Sequence, residues 1–452
     1  MPSTSPNLRS VGHSVAFAIL LMAASLVVVK TGRDALYLQD RGIFGLPMAY
    51  LGIAGLSLPV AIGMIWLIYA VGPRRARVGA TLAVAALLAA FWRIAEPGGG
   101  PRMTVFFIAV PLVYGVLLSA TWLLIAEVLD TDSNESRAGV YARVGAGAIA
   151  GGLLGGLLAR AAALRVDPQV FFLWGAALLA VSAVVIGATQ AHHPPAPLRD
   201  GLAPRPSLGQ LRVVFGHRYG RLLLALGVLA AIVGVLIEFQ VYWVASESRA
   251  SAREQSRLFS NLYLLLNVVA LAVQVLVIPR IQRLLGLYGS LMVMPVALLG
   301  GAALVSLTAG LAARGALRVA EGGLKASIHR SNWEQAFVPL RGERVVAKLV
   351  VDGIGARLGE GLMAGLLYLW LRGGVVSGAL AEHDASWMTW LLLAATAAMI
   401  GIASVLRPAR GEVPPFAAGE EVAAVVPPDC CVVTAIAGRM VQEDASRRRG
   451  AI

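Results

Sequence analysis

Apolar runs of about twenty residues, separated by short polar breaks, recur along the whole chain, and that is the length a helix needs to cross the hydrocarbon core of a bilayer. On this pattern, spans are expected near residues 12–38, 48–72, 78–95, 103–128, 138–163 and 169–190. A polar stretch with prolines follows, from His192 to Gly216, holding His192-His193-Pro194-Pro195 together with Arg199, Arg205 and Arg212. A second set of spans is expected near 219–246, 257–279, 287–312, 315–338, 343–371 and 386–406. Beyond Arg407 the chain turns rich in proline and alanine and reads as a loose tail. The predicted class is therefore all-α, a polytopic membrane protein with about twelve transmembrane helices in two pseudo-symmetric six-helix bundles. Its expected organisation is an N-terminal bundle over 1–191, a basic linker over 192–218, a C-terminal bundle over 219–406 and a tail over 407–452. The first apolar run is too long for a cleaved signal and lacks a small-residue cleavage site, so it is counted as a span.

Composition agrees with the pattern. Apolar residues make up 58% of 452 positions and charged residues 14%, with a mean hydropathy of +0.75. A soluble domain carries about 25% charged residues. The formal net charge of +13 would point to nucleic acid in a soluble protein. In this chain the arginines lie in short loops between apolar runs, where they orient helices, so no nucleic-acid partner is expected. Arg74, Arg75 and Arg77, the mid-chain linker, Arg280 with Arg283, and Arg407 with Arg410 all fall on one side if both termini are cytoplasmic. Cys430 and Cys431 are adjacent, which gives neither a disulfide framework nor a zinc-ligand spacing. The chain has no GxxxxGK[ST], no HExxH and no nucleophile elbow, so an enzyme, an ATP-driven pump, a cofactor and a metal site are all unexpected. The glycine-rich run Gly145–Gly156 lies inside a span, where close helix packing explains it better than dinucleotide binding.

An internal repeat emerges at an offset of 208, which lays Gly145, Gly147 and Gly151 over Gly353, Gly355 and Gly359. Both runs open the fifth helix of their half, and the same offset lays the Arg74–Arg77 loop over Arg280–Arg283. Charged residues inside the spans follow suit. Lys30 on the first helix corresponds to Glu238 on the seventh, 208 positions on, and Glu127 on the fourth to Glu334 on the tenth, 207 on. A charge at mid-helix costs about 2.5–3.5 kcal/mol on insertion scales, so several of them call for one another or for a water-filled cavity. Helices one, four, seven and ten are expected to line it. Of 38 basic residues only Lys30, Lys325 and Lys348 are lysine, and all three sit in or beside spans rather than in the basic loops.

Local readings compete at several of these positions. Lys30 and Asp34 are four apart on one helical face and would neutralise each other as an i,i+4 pair. Lys325 and Glu321 have the same spacing. Glu127 precedes Asp130 and Asp132 and would then simply begin a loop. Tyr242, Trp243 and Trp333 suit core packing or the membrane interface as well as they suit a ligand. Glu238 is the hardest to explain away, because an apolar run precedes it and Phe239, Tyr242 and Trp243 follow.

Several segments together resemble the nucleotide transporter family, the ATP/ADP translocases of plastids and obligate intracellular bacteria with their free-living bacterial relatives. KTGRDAL at 30–36 is similar to that family's basic-Thr-x-Lys-Asp-x-Leu motif, with Arg33 at the second lysine. FGLPMAYLGIA at 44–54 resembles the start of its second helix. LLIAEVLDTD places Glu127, and IEFQVYW places Glu238, where the family carries acidic residues. ASIHRSNWEQAFVPL at 326–340 keeps Glu334 and Pro339 and has Trp333 where the translocases have lysine. AKLVVDGIGARLGEG at 347–361 places Lys348 and Asp352. The similarity runs from about residue 20 to residue 370. It implies a major-facilitator-like fold, alternating access and exchange of anionic nucleotides such as ATP and ADP. The substrate-binding residues so implied are Lys30, Arg33, Glu127, Glu238, Glu334 and Lys348, with Asp34, Tyr242, Trp333 and Asp352 in support. The expected setting is a bacterial cytoplasmic membrane, and the expected working unit a monomer. Two other readings stay open on sequence: a major-facilitator-type transporter of a non-nucleotide solute, and a transporter-like scaffold or sensor that moves nothing.

Overall fold

A computed structural model describes residues 8–94, 100–129, 134–192, 216, 218–247, 250–308, 310–337, 347, 349–377 and 386–406. Most of the linker and the expected tail beyond Leu406 lie outside the described residues, which contain no strand. The first half consists of α1 (Leu8–Arg41), α2 (Leu46–Val71), α3 (Pro73–Ile94), α4 (Pro101–Leu129), α5 (Asn134–Ala162) and α6 (Val170–His192). The second half begins with α7 (Arg218–Glu247) and α8 (Ala252–Ala272), then a π turn (Val273–Val277), α9 (Ile278–Leu291) and α10 (Val293–Leu307). It continues with α11 (Leu311–Leu324), a π turn (Lys325–His329), α12 (Arg330–Ala336), a third π segment (Leu349–Gly355), α13 (Ala356–Ser377) and α14 (Ser386–Val405).

Short reversals make successive helices antiparallel. Between α2 and α3 the whole reversal is Gly72, held at φ +86°, a conformation a side chain would resist, and Pro73 then starts α3. At the start of α8, Ser251 accepts from the Glu254 amide while the Glu254 carboxylate accepts from the Ser251 amide, a reciprocal cap on an exposed helix end. Nine helices among the described residues are long and apolar enough to cross a membrane, and a pair bent by 58°, Leu284–Leu291 with Val293–Leu307, makes a tenth. The other two expected spans are α11 to α12 and the π segment with α13. The first holds Arg314, Arg318, Glu321 and Lys325 in close succession, and charge at that density belongs against protein or water rather than lipid.

The two halves are related as the 208-residue offset predicts. In the first, α1 packs on α4, α5 and α6. In the second, α7 packs on α11, α13 and α14. Gly147 and Gly151 of α5 lie against the backbone of α1 at Ala16 and Leu20, while Gly355 and Gly359 lie against α7 at Leu224 and Val228. All four second-half positions are their first-half counterparts plus 208 (355 from 147, 359 from 151, 224 from 16, 228 from 20). A Cβ at Gly151 would overlap the Leu20 carbonyl oxygen. Gly151→Leu is therefore expected to cost at least about 1–3 kcal/mol through overpacking, read as a lowered melting temperature in detergent.

Across the halves, α5 and α1 meet α8, and α2 meets α13. The α5–α8 contact uses a second glycine face, with Gly152 against Asn267 and Gly156 against Leu264. One helix thus presents one small-residue stripe to its own half and another to the opposite half.

Candidate functional site

A cavity of about 340 Å³ lies between the halves, walled by α1, α2, α4, α7, the α11 segment and α13. Helices one, four, seven and ten were expected there, and two more contribute. From α1 come Lys30 and Arg33, one turn apart on the face that α1 turns toward the second half. Tyr50, Phe107 and Tyr114 form an aromatic wall on the first half, and Tyr114 is fixed from behind by a 2.5 Å hydrogen bond to Ser25 Oγ, which itself donates to the Gly175 carbonyl at 2.8 Å.

Charges inside the cavity bridge the two halves. Lys30 Nζ lies 3.2 Å from Glu238 Oε1, and Arg318 Nη2 reaches the same oxygen at 3.1 Å. The other arm of Arg318 pairs with Glu321, whose side chain is 1% exposed. Lys325 approaches the second Glu321 oxygen at 3.5 Å, an ion pair without a hydrogen bond to that atom. On α13, Arg357 pairs with Glu360 at 2.6 Å. The lining thus holds five cations (Lys30, Arg33, Arg318, Lys325, Arg357) against three carboxylates (Glu238, Glu321, Glu360).

The local Lys30–Asp34 pair is replaced by a different arrangement. Asp34 is fully buried and taken by its neighbour, with Arg33 Nε at 2.7 Å and Nη2 at 2.5 Å from one oxygen. Its other oxygen accepts from the hydroxyl of Tyr263 on α8. Arg33 also donates to the Phe107 carbonyl at 3.2 Å and lies over the Phe107 ring, 4.0 Å from its centroid. With Asp34 engaged twice, Lys30 turns to Glu238.

Exposure shows which way the cavity opens. Arg33 is 4% exposed and Arg318 12%, whereas Lys325 is 51% and Arg357 40%. Lys325 and Arg357 lie toward the end of the bundle where α1 begins. At the opposite end, Arg253 at the start of α8 holds Asp167, between α5 and α6, through two nitrogens at 3.1 and 2.9 Å. The cavity is closed at that far end and open toward the near one.

Solved structures share the overall fold. A mutant form of the nucleoside transporter NupG is 14% identical with a TM-score of 0.61, over 89% of this chain and 100% of that one. An auto-inhibited POT family peptide transporter is 15% identical with a TM-score of 0.59, over 87% and 96%. A bacterial homolog to the human lysosomal transporter Spinster, inward-facing and unoccupied, is 14% identical with a TM-score of 0.53, over 98% and 99%. The fold is major-facilitator-like. No family model and no curated protein matches the sequence. These neighbours share a fold and do not separate nucleotide transporters from other lineages.

Within this major-facilitator-like bundle the sequence-predicted residues divide into three groups. Lys30, Arg33 and Glu238 meet at the cavity, with Asp34 immediately behind them. Tyr242 is buried beside Phe107 and Phe259, and Trp333 donates through Nε1 to Asp352 at 2.7 Å, so none of these three lines the cavity. The side chains of Glu127 and Glu334, and Lys348 altogether, lie outside the described residues. Arg318, Arg357 and Glu360 were missed. The signal for Arg318 is spacing: Arg314, Arg318, Glu321 and Lys325 recur at steps of four, three and four, the repeat of one helix face. Arg357 and Glu360 stand three apart within AKLVVDGIGARLGEG, the segment from which Lys348 and Asp352 were drawn.

Proposed function

We propose that this chain is a secondary transporter that exchanges a compact anionic metabolite by alternating access, with adenine nucleotides the leading substrate. It is not an enzyme on this reading. It works as a monomer in a bacterial cytoplasmic membrane with both termini cytoplasmic, as two six-helix domains over 1–191 and 219–406 joined by the basic linker. The observation that carries the proposal is the cavity between the halves, whose cations outnumber its carboxylates five to three. Charged hydrogen bonds from lysine and arginine are the usual means of holding phosphate and carboxylate. An aromatic wall of Tyr50, Phe107 and Tyr114 beside them suits a ligand with a flat apolar part.

Glu238 then acts as a built-in counter-anion. With the site empty it satisfies Lys30 from the first half and Arg318 from the second, and an arriving anion takes its place. Exchange of labelled ATP, ADP and other phosphate esters in proteoliposomes tests the proposal. Movement of a non-nucleotide anion would redirect the substrate, and no movement of any anion by folded protein would remove the transport reading. Lys30→Ala is expected to raise the half-saturating concentration of a charged substrate by about tenfold and to leave a neutral analogue within twofold, measured by competition in the same exchange assay.

A further inference from the structure

Tyr263 does not line the cavity, yet it touches two of the residues that define it. From α8, in the second half, its hydroxyl donates to Asp34, the partner of Arg33, and Lys30 Nζ lies 4.8 Å from the centroid of its ring. Tyr263 is 5% exposed and its partner Asp34 fully buried, so the hydroxyl contact is dry. Tyr263 also sits on the helix that closes the far end. Leu264, the next residue, and Asn267, one turn on, receive Gly156 and Gly152 of α5. At the start of α8, Arg253 holds Asp167.

These contacts cross between the halves and lie on one side of the cavity. Alternating access requires them to part when the far end opens. We propose that Tyr263 is a positioning residue that relays occupancy of the cavity to the far-end closure. This rests on the transport reading. An anion bound beside Lys30 and Arg33 draws both cations toward itself. Lys30 then leaves the Tyr263 ring, and Asp34, no longer held in place by Arg33, turns away from the Tyr263 hydroxyl. Two ties between α1 and α8 weaken together, and α8 is freed to separate from α1 and α5. The seats of Asn267 on Gly152 and of Leu264 on Gly156 part with it.

The test reads opening directly. Cys430→Ser and Cys431→Ser remove the native thiols, and Val235→Cys places a reporter on the cavity wall of α7. A membrane-impermeant maleimide added to intact cells labels that cysteine only when the far end opens. Tyr263→Phe removes one oxygen and keeps the ring, so the labelling rate should rise about tenfold, the scale of a lost hydrogen bond to a charged group, while KM stays within twofold. Tyr263→Leu removes the ring as well, so labelling should rise and KM should fall about two- to fivefold, because Lys30 no longer has a ring to leave when the anion arrives. If the Phe variant failed to fold by thermal melting, the Leu variant alone would carry the labelling test. An unchanged labelling rate in a folded variant overturns the proposal. Raised labelling in a protein that moves no anion would leave the gate standing and remove the transport reading instead.

Discussion

Glu238→Gln is expected to lower the rate of anion exchange by about tenfold or more, equivalent to ~1.4 kcal/mol or above in the barrier, without preventing folding. Glutamine keeps the volume and an acceptor oxygen, so Lys30 and Arg318, at 3.2 and 3.1 Å, retain one partner atom. The negative charge is lost. An incoming anion then meets two cations with no internal rival, binds more tightly and leaves more slowly. KM and kcat should therefore fall together, the pattern of a ground state made too stable. Equilibrium binding of labelled substrate alongside exchange kinetics would show this. Unchanged kinetics in the folded variant would mean that Glu238 neither competes with substrate nor couples the halves.

Arg318→Met is expected to be the most damaging single change to the fold, about 3–5 kcal/mol by the measure of broken buried ion pairs. Its guanidinium joins two carboxylates from different helices, Glu238 on α7 and Glu321 on α11. Removing it leaves Glu321, 1% exposed, with Lys325 at 3.5 Å as the remaining cation. Adding Glu321→Gln to Arg318→Met should restore part of the lost melting temperature, since the uncompensated charge does more harm than the missing contact. Thermal melting of the single and double variants in detergent decides it. Equal melting of both would show that packing, not charge, is what Arg318 supplies.

Span positions were legible in the sequence because a bilayer imposes a length and a polarity on every helix. The repeat was legible because close packing of α5 on α1 and of α13 and its π segment on α7 demands glycine at set places, and Gly147, Gly151, Gly355 and Gly359 occupy them. Lys30 and Glu238 followed from the repeat. Their neighbours did not. Asp34 looked like the natural partner of Lys30, four residues on, but Tyr263 contacts it from 229 positions away and Arg33 from beside it, and no local rule reports the first of these. Arg318 was hidden by abundance, one arginine among many, and only its place in a helical repeat with Glu321 and Lys325 sets it apart. The three π turns carry no signature in the residues of Val273–Val277, Lys325–His329 or Leu349–Gly355 that would announce them. Trp333 and Asp352 have the residue types of a binding site, yet they are bonded to each other.

The deepest ring of charge contains Lys30, Arg33 and Arg318 with Asp34, Glu238 and Glu321, three of each sign and formally neutral. On the proposed transport cycle, with the halves rocking around it, a membrane potential would exert no net force on such a ring. A bound anion brings its own charge into that field, at about 2.3 kcal/mol per elementary charge for every 100 mV. Exchange of two anions of equal charge would then be indifferent to voltage. Exchange of a pair differing by one charge would be driven by it, and the cell's resting polarity, rather than any residue of the chain, would set the direction of net flow.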